Sequence, residues 1–127
     1  MPINKLFGGN ISLAGKALDL RMERQGLIQS NIANLETPGY RAKELPFARV
    51  LQSMTAGTGE LVRTNPRHIA PDPVEAQTSR FVEEGGPVDL DEEMVNLSEN
   101  QLMYQVATRI VAKKLEGIQY AIDEGGK

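Results

Sequence analysis

Few side chains in this sequence could do chemistry. His68 is the single histidine, cysteine is absent, and carboxylates gather in "EEGG" (Glu83 to Gly86) and "DLDEEM" (Asp89 to Met94). A lone imidazole without thiolates or a neighbouring carboxylate pair cannot assemble a usual metal site, so a turn or surface histidine is the plainer reading. The acidic clusters suit helix capping and solubility better than paired acid–base work. No G-x-S-x-G elbow, Walker loop or G-x-G-x-x-G run occurs, and Gly8-Gly9, Gly85-Gly86 and Gly125-Gly126 sit at element edges where backbone freedom accounts for them. No catalytic, cofactor or metal site is expected. "TNPRHI" (Thr64 to Ile69), with Arg63, makes a basic spot in an acidic chain, read as a proline turn with solvated flanks ahead of a charged docking point.

The elements that would position any site follow from composition. The 127 residues are 40% hydrophobic with a formal charge of −3, which fits one ordinary domain and argues against a general nucleic-acid footprint. No apolar run approaches the roughly 18 residues that span a bilayer. The opening "MPINKLFGGNIS" lacks the apolar core and cleavage site of a signal peptide, so departure from the cytoplasm would need another route.

Six of the seven prolines fall between Pro38 and Pro87, leaving two proline-free ends around a turn-rich middle. After an extension over 1–10, residues 11–35 read as a helix. Ile11, Ala14, Leu18, Ile28, Ile32 and Leu35 keep three-and-four spacing, with a second stripe at Leu13, Ala17, Leu20 and Leu27. In the middle segment, 36–89, Pro46 opens a short helix through Phe47, Val50, Leu51 and Met54. Leu61 to Arg63 and Ser79 to Val82 are brief strand-like runs.

Residues 90–124 carry a heptad pattern. Leu90, Leu97, Tyr104, Val111 and Ile118 recur every seven residues, followed four places later by Met94, Gln101, Thr108, Leu115 and Ile122. Asp89 with Glu92 is a capping box, and Gly125 marks the stop. Val95, Leu102, Met103, Val106 and Ile110 add apolar surface beside the seam, which suggests either neighbouring subunits or an ordinary helix pair closing a monomer. The expected fold is mainly α: long terminal helices packed as an antiparallel coiled-coil pair, with a partly extended middle. Ile11, Leu18, Ile28 and Ile32 are expected to meet the residues of the seam.

"SNIANLETPGYRA", Ser30 to Ala42, closes the first helix. Pro38 disfavours helical geometry at Thr37, and Thr37-Pro38-Gly39-Tyr40 fits a type II turn with glycine where positive φ is needed. Asn31, Asn34, Tyr40 and Arg41 exceed what such a turn requires. Their amides and ring could serve the turn or a neighbouring chain, and a subunit contact is the favoured reading.

This stretch resembles the N-terminal signature of the bacterial flagellar rod and hook axial family. Ser30, Asn31, Ile32, Ala33, Asn34, Thr37, Pro38, Gly39 and Tyr40 match its S-N-I-A-N and T-P-G-Y blocks, and Arg41 matches the basic residue that follows. "TNPRHI" and the stretch from Val88 to Ile122 resemble the proximal rod type. The resemblance implies a structural subunit, not an enzyme, that polymerises through its terminal helices into the base of a drive shaft and is exported without a cleaved signal. It further implies contacts with other rod proteins, the adaptor beneath them, and the membrane-ring and export-gate proteins. Another axial subunit, or a cytoplasmic helical export adaptor or chaperone, is the alternative.

Overall fold

Two long helices lie side by side and a short polar hairpin folds back over one end of the pair. The structure, a computed structural model, describes residues 3–55 and 78–126. In chain order these form α1 (Ile3–Ala33), β1 (Lys43–Glu44), α2 (Phe47–Thr55), β2 (Glu83–Glu84) and α3 (Leu90–Gly125). Leu61 to Arg63 and "TNPRHI", with Arg63, Arg67 and His68, lie outside the described residues. α1 starts at Ile3 rather than at 11, so most of the expected extension is helical.

Local chemistry sets most boundaries. Asp89, in extended conformation at φ −102° and ψ 114°, accepts hydrogen bonds from the N–H groups of Asp91 and Glu92. Asp91, Glu92 and Glu93 put negative charge in the first turn of α3, where the helix dipole favours it. The Val50 N–H donates to Pro46 O at 3.1 Å, so Pro46 stands at the start of α2. At 36 residues α3 reaches about 54 Å.

β1 and β2 pair antiparallel, with Lys43 opposite Glu84 and Glu44 opposite Glu83. Bonds from Ala42 N–H to Gly86 O (3.0 Å) and from Gly85 N–H to Ala42 O (2.8 Å) lengthen the ladder. The like-charged Glu44 and Glu83 are a poor cross-strand pair, offset by the Arg49–Glu83 ion pair. The strand expected over Ser79 to Val82 is instead a turn, closed by Phe81 N–H to Thr78 O at 2.9 Å, with the strand following it. Backbone turn bonding outranked the β-propensity of Phe81 and Val82.

The apolar core sits where α2 and the ladder meet the middle of α1. Leu20, Leu45, Val50 and Met54 are buried together, flanked by Leu27, Phe47, Leu51, Phe81 and Val82. No large apolar residue of α3 is buried; its buried residues are Glu93 and Asn100. The Asn100 amide donates to Arg21 O at 2.9 Å and to Gln25 Oε1 at 3.1 Å, and its oxygen accepts from the Arg21 guanidinium at 3.4 Å. That guanidinium lies 3.6 Å from the centroid of the Phe47 ring, tying α1 to α2 and α3 at one point. Burial first, and then Arg24, lower the Arg21 pKa from its ordinary value, against an opposing pull from Glu99.

This polar contact sets the rotation of α3. Its buried and half-buried residues are Glu93, Asn96, Leu97, Asn100, Ala107, Val111, Lys114 and Ile118, an inward stripe of three-and-four steps. Leu97, Val111 and Ile118 belong to the heptad seam read from the sequence. Met94, Gln101, Thr108, Leu115 and Ile122 do not face α1; Glu93, Asn100, Ala107 and Lys114, one residue before the first four, do. The expected packing of Leu90, Met94, Tyr104, Leu115 and Ile122 within the chain is therefore corrected: all five are exposed. On α1, Ile28 is buried and Ile11, Leu18 and Ile32 are half-buried.

Candidate assembly interface

The signature turn is built as its residue types dictate. Tyr40 N–H donates to Thr37 O at 3.2 Å, and Gly39 has φ +76°, the left-handed conformation that the third position of a type II turn needs. A Cβ on Gly39 would meet nothing within 4 Å, so the cost of replacing it comes from φ alone. Gly39→Ala is expected to lose about 1–2 kcal/mol, read as a lower denaturation midpoint with an unchanged slope.

Asn31 holds the turn to the hairpin. It is 1% exposed. Its Nδ2 donates to Lys43 O at 2.8 Å, while its Oδ1 accepts from Lys43 N–H at 2.9 Å and from the Tyr40 hydroxyl at 3.0 Å. One amide thus satisfies both backbone groups of β1's first residue, as a neighbouring strand would. Asn34 closes the helix end: its Nδ2 donates to Ser30 O at 2.8 Å, and its Oδ1 accepts from the Thr37 hydroxyl at 3.1 Å. Ser30 Oγ lies 3.4 Å from the Tyr40 hydroxyl. Asn31, Asn34 and Tyr40, favoured from the sequence as subunit contacts, engage their polar groups within the chain. Ile32 is half-buried, whereas Ala33, Thr37, Pro38 and Gly39 are exposed. Arg41 is exposed and makes no hydrogen bond among the described residues, so it alone of the four keeps a free functional group.

α3 presents the larger surface. Val95, Leu102, Val106 and Ile110 are spaced by seven, four and four, and Leu102, two residues after buried Asn100, stands about 200° around the helix from it. That stripe faces away from α1: Val95 is 65%, Leu102 60% and Ile110 49% exposed. Met94, Leu115, Tyr120 and Ile122 extend apolar exposure along the same helix. Exposed apolar side chains aligned in this way are a candidate interaction surface.

No family model matches the chain. Curated proteins do, among them three described as "Flagellar basal body rod protein FlgB". The one from Yersinia enterocolitica is 30% identical across 92% of this chain and 96% of its own length. The Salmonella typhimurium protein is 32% identical across 87% and 90%, and the Bacillus subtilis protein 30% across 96% and 98%. This chain belongs to the FlgB family. The FlgB resemblance therefore extends over most of the sequence and is not confined to the signature.

Sequence reasoning missed the groups that lock the FlgB-type helix pair together: Arg21, Gln25, Glu93 and Asn100. A signal was present, since Glu93, Asn100, Ala107 and Lys114 recur every seven residues. Their polarity hid them from a search for apolar periodicity.

Glu93 is 7% exposed, and its Oε2 has no hydrogen-bond partner. Burial pushes its pKa above the ordinary carboxylate value; hydrogen bonding from Asn31 and the charge of Arg24 oppose this, while Glu92 and Glu44 add to it. A folded-state pKa above the unfolded one means that the folded chain binds more protons in the window between the two. Stability therefore falls as pH rises through that window, and the loss is complete above it. Glu93→Gln is expected to be more stable than the parent at neutral pH, with the difference vanishing below the ordinary carboxylate range. Denaturant titrations at several pH values would show this.

Proposed function

We propose that this chain is a structural subunit of the proximal rod of the flagellar basal body, polymerising through the outward face of α3 and the signature end of α1. The observation that carries the reading is the exposed apolar stripe of Val95, Leu102, Val106 and Ile110, on a helix whose only buried side chains are polar. A helix of this length, with Leu97, Val111 and Ile118 only half-buried against α1, leaves much of its apolar surface without the packing that stabilises helices in folded proteins. Neighbours supply them.

In this reading copies of the chain and other rod proteins cover the α3 stripe, while the turn carrying Arg41 meets a subunit or the adaptor at the rod base. Ring and export-gate proteins lie against the base of the same assembly. The chain leaves the cytoplasm by the flagellum's own export route, without a cleaved signal peptide. The relatives' names describe a rod protein, which supports a structural role over the export adaptor or chaperone alternative. Quantitative mass spectrometry of purified basal bodies tests the assignment. The chain should be present in amounts comparable with other rod proteins; confinement to the cytosolic fraction would overturn it.

A further inference from the structure

A cavity of about 120 Å³ opens between the N-terminal turn of α3 and the hairpin. Four carboxylates line it, those of Glu44, Asp89, Glu92 and Glu93, against two cations, Arg24 and Lys43. Glu93 reaches it from an environment more than nine-tenths buried, with one oxygen unpartnered. A buried carboxylate without a full set of partners is costly unless a cation completes it.

We propose that this cavity receives a basic side chain from a second copy of the chain, drawn from the stretch Arg109 to Lys114. The proposal rests on the rod-subunit reading above. Charge is unevenly spread along the molecule. Residues 83–93 hold six acidic side chains and no basic one, while 109–114 holds Arg109, Lys113 and Lys114 and no acid. Arg109 and Lys113 are exposed. Within one chain the two regions cannot meet, because Glu92 and Lys113 are separated by about 31 Å along one continuous helix. In an open helical polymer each contact joins two different patches of the same subunit, as an acidic receptor and a basic donor far apart on one helix would do. The pairing also fixes an axial offset between copies, which an apolar stripe alone leaves free to slide.

The chain has no cysteine, so the double variant Glu92→Cys/Lys113→Cys reports the contact directly. A disulfide needs the two Cα atoms within about 7 Å, so a bond between these positions joins two chains. In oxidised, purified basal bodies the double variant should give a disulfide-linked dimer that neither single variant gives. Normal incorporation with no dimer, or with a crosslink only to a different protein, overturns the pairing and leaves the rod reading intact. Absence of the unmodified chain from basal bodies overturns both. Should the cysteines block incorporation, the exchange of Glu92→Lys with Lys113→Glu decides. Each single change should reduce incorporation and the pair restore it; failure to restore overturns the proposal.

Discussion

Asn31→Ala is expected to destabilise the isolated chain by about 2–4 kcal/mol, the largest loss available from one side chain in the signature. The change removes both bonds to the Lys43 backbone and the acceptor for the Tyr40 hydroxyl, at a position from which water is excluded. It also removes hydrogen bonding that restrains the upward shift of the Glu93 pKa, so the loss should grow with pH above the ordinary carboxylate range. Asn34→Ala is the contrast. Its bonds to Ser30 O and the Thr37 hydroxyl are exposed and replaceable by water, so about 1 kcal/mol is expected. Urea titrations of both variants at neutral pH would order them. Equal losses would mean that the Asn31 amide is not the link between turn and hairpin.

The second large effect falls on assembly and not on folding. Leu102→Asp together with Val106→Asp places two charges on the outward side of α3, where both parent side chains are already exposed. Stability of the free chain should stay within about 0.5 kcal/mol of the parent. In an assembled rod those carboxylates would be buried without partners, at several kcal/mol or more. Association should therefore weaken by at least about a hundredfold, since each 1.4 kcal/mol is tenfold. Cells carrying the double variant should export the subunit yet build no rods, scored by electron microscopy of basal bodies and by loss of motility. A Ser98→Asp control on an exposed polar position should assemble normally.

What the sequence made legible was local. Thr-Pro-Gly-Tyr dictated a type II turn because only glycine accepts the third position cheaply, and Asp89 announced the start of α3 through its side-chain acceptor. Pro46 likewise marked the start of α2. The rotation of α3 was not legible, because an apolar heptad count assumes that apolar residues face the partner helix. Here Asn100 is held by Arg21 and Gln25, and it turns Met94, Leu115 and Ile122 outward. The ladder was equally hidden: Lys43-Glu44 and Glu83-Glu84 are wholly charged, two residues long and forty apart, with no alternation to betray a strand. By residue type alone the signature asparagines suit contact groups. Only the positions of Lys43 and Ser30 show that they serve the chain's own backbone.

The signature turn acts as an internal joint that fixes the hairpin against α1, and in the proposed rod the adhesive surface is the side of α3 that faces away from that joint. The most direct measurement is thiol labelling of a single Leu102→Cys variant in this otherwise cysteine-free chain, compared between the free protein and purified basal bodies. The account predicts fast labelling of the free chain and strong protection in the rod. Equal labelling in both states would contradict it.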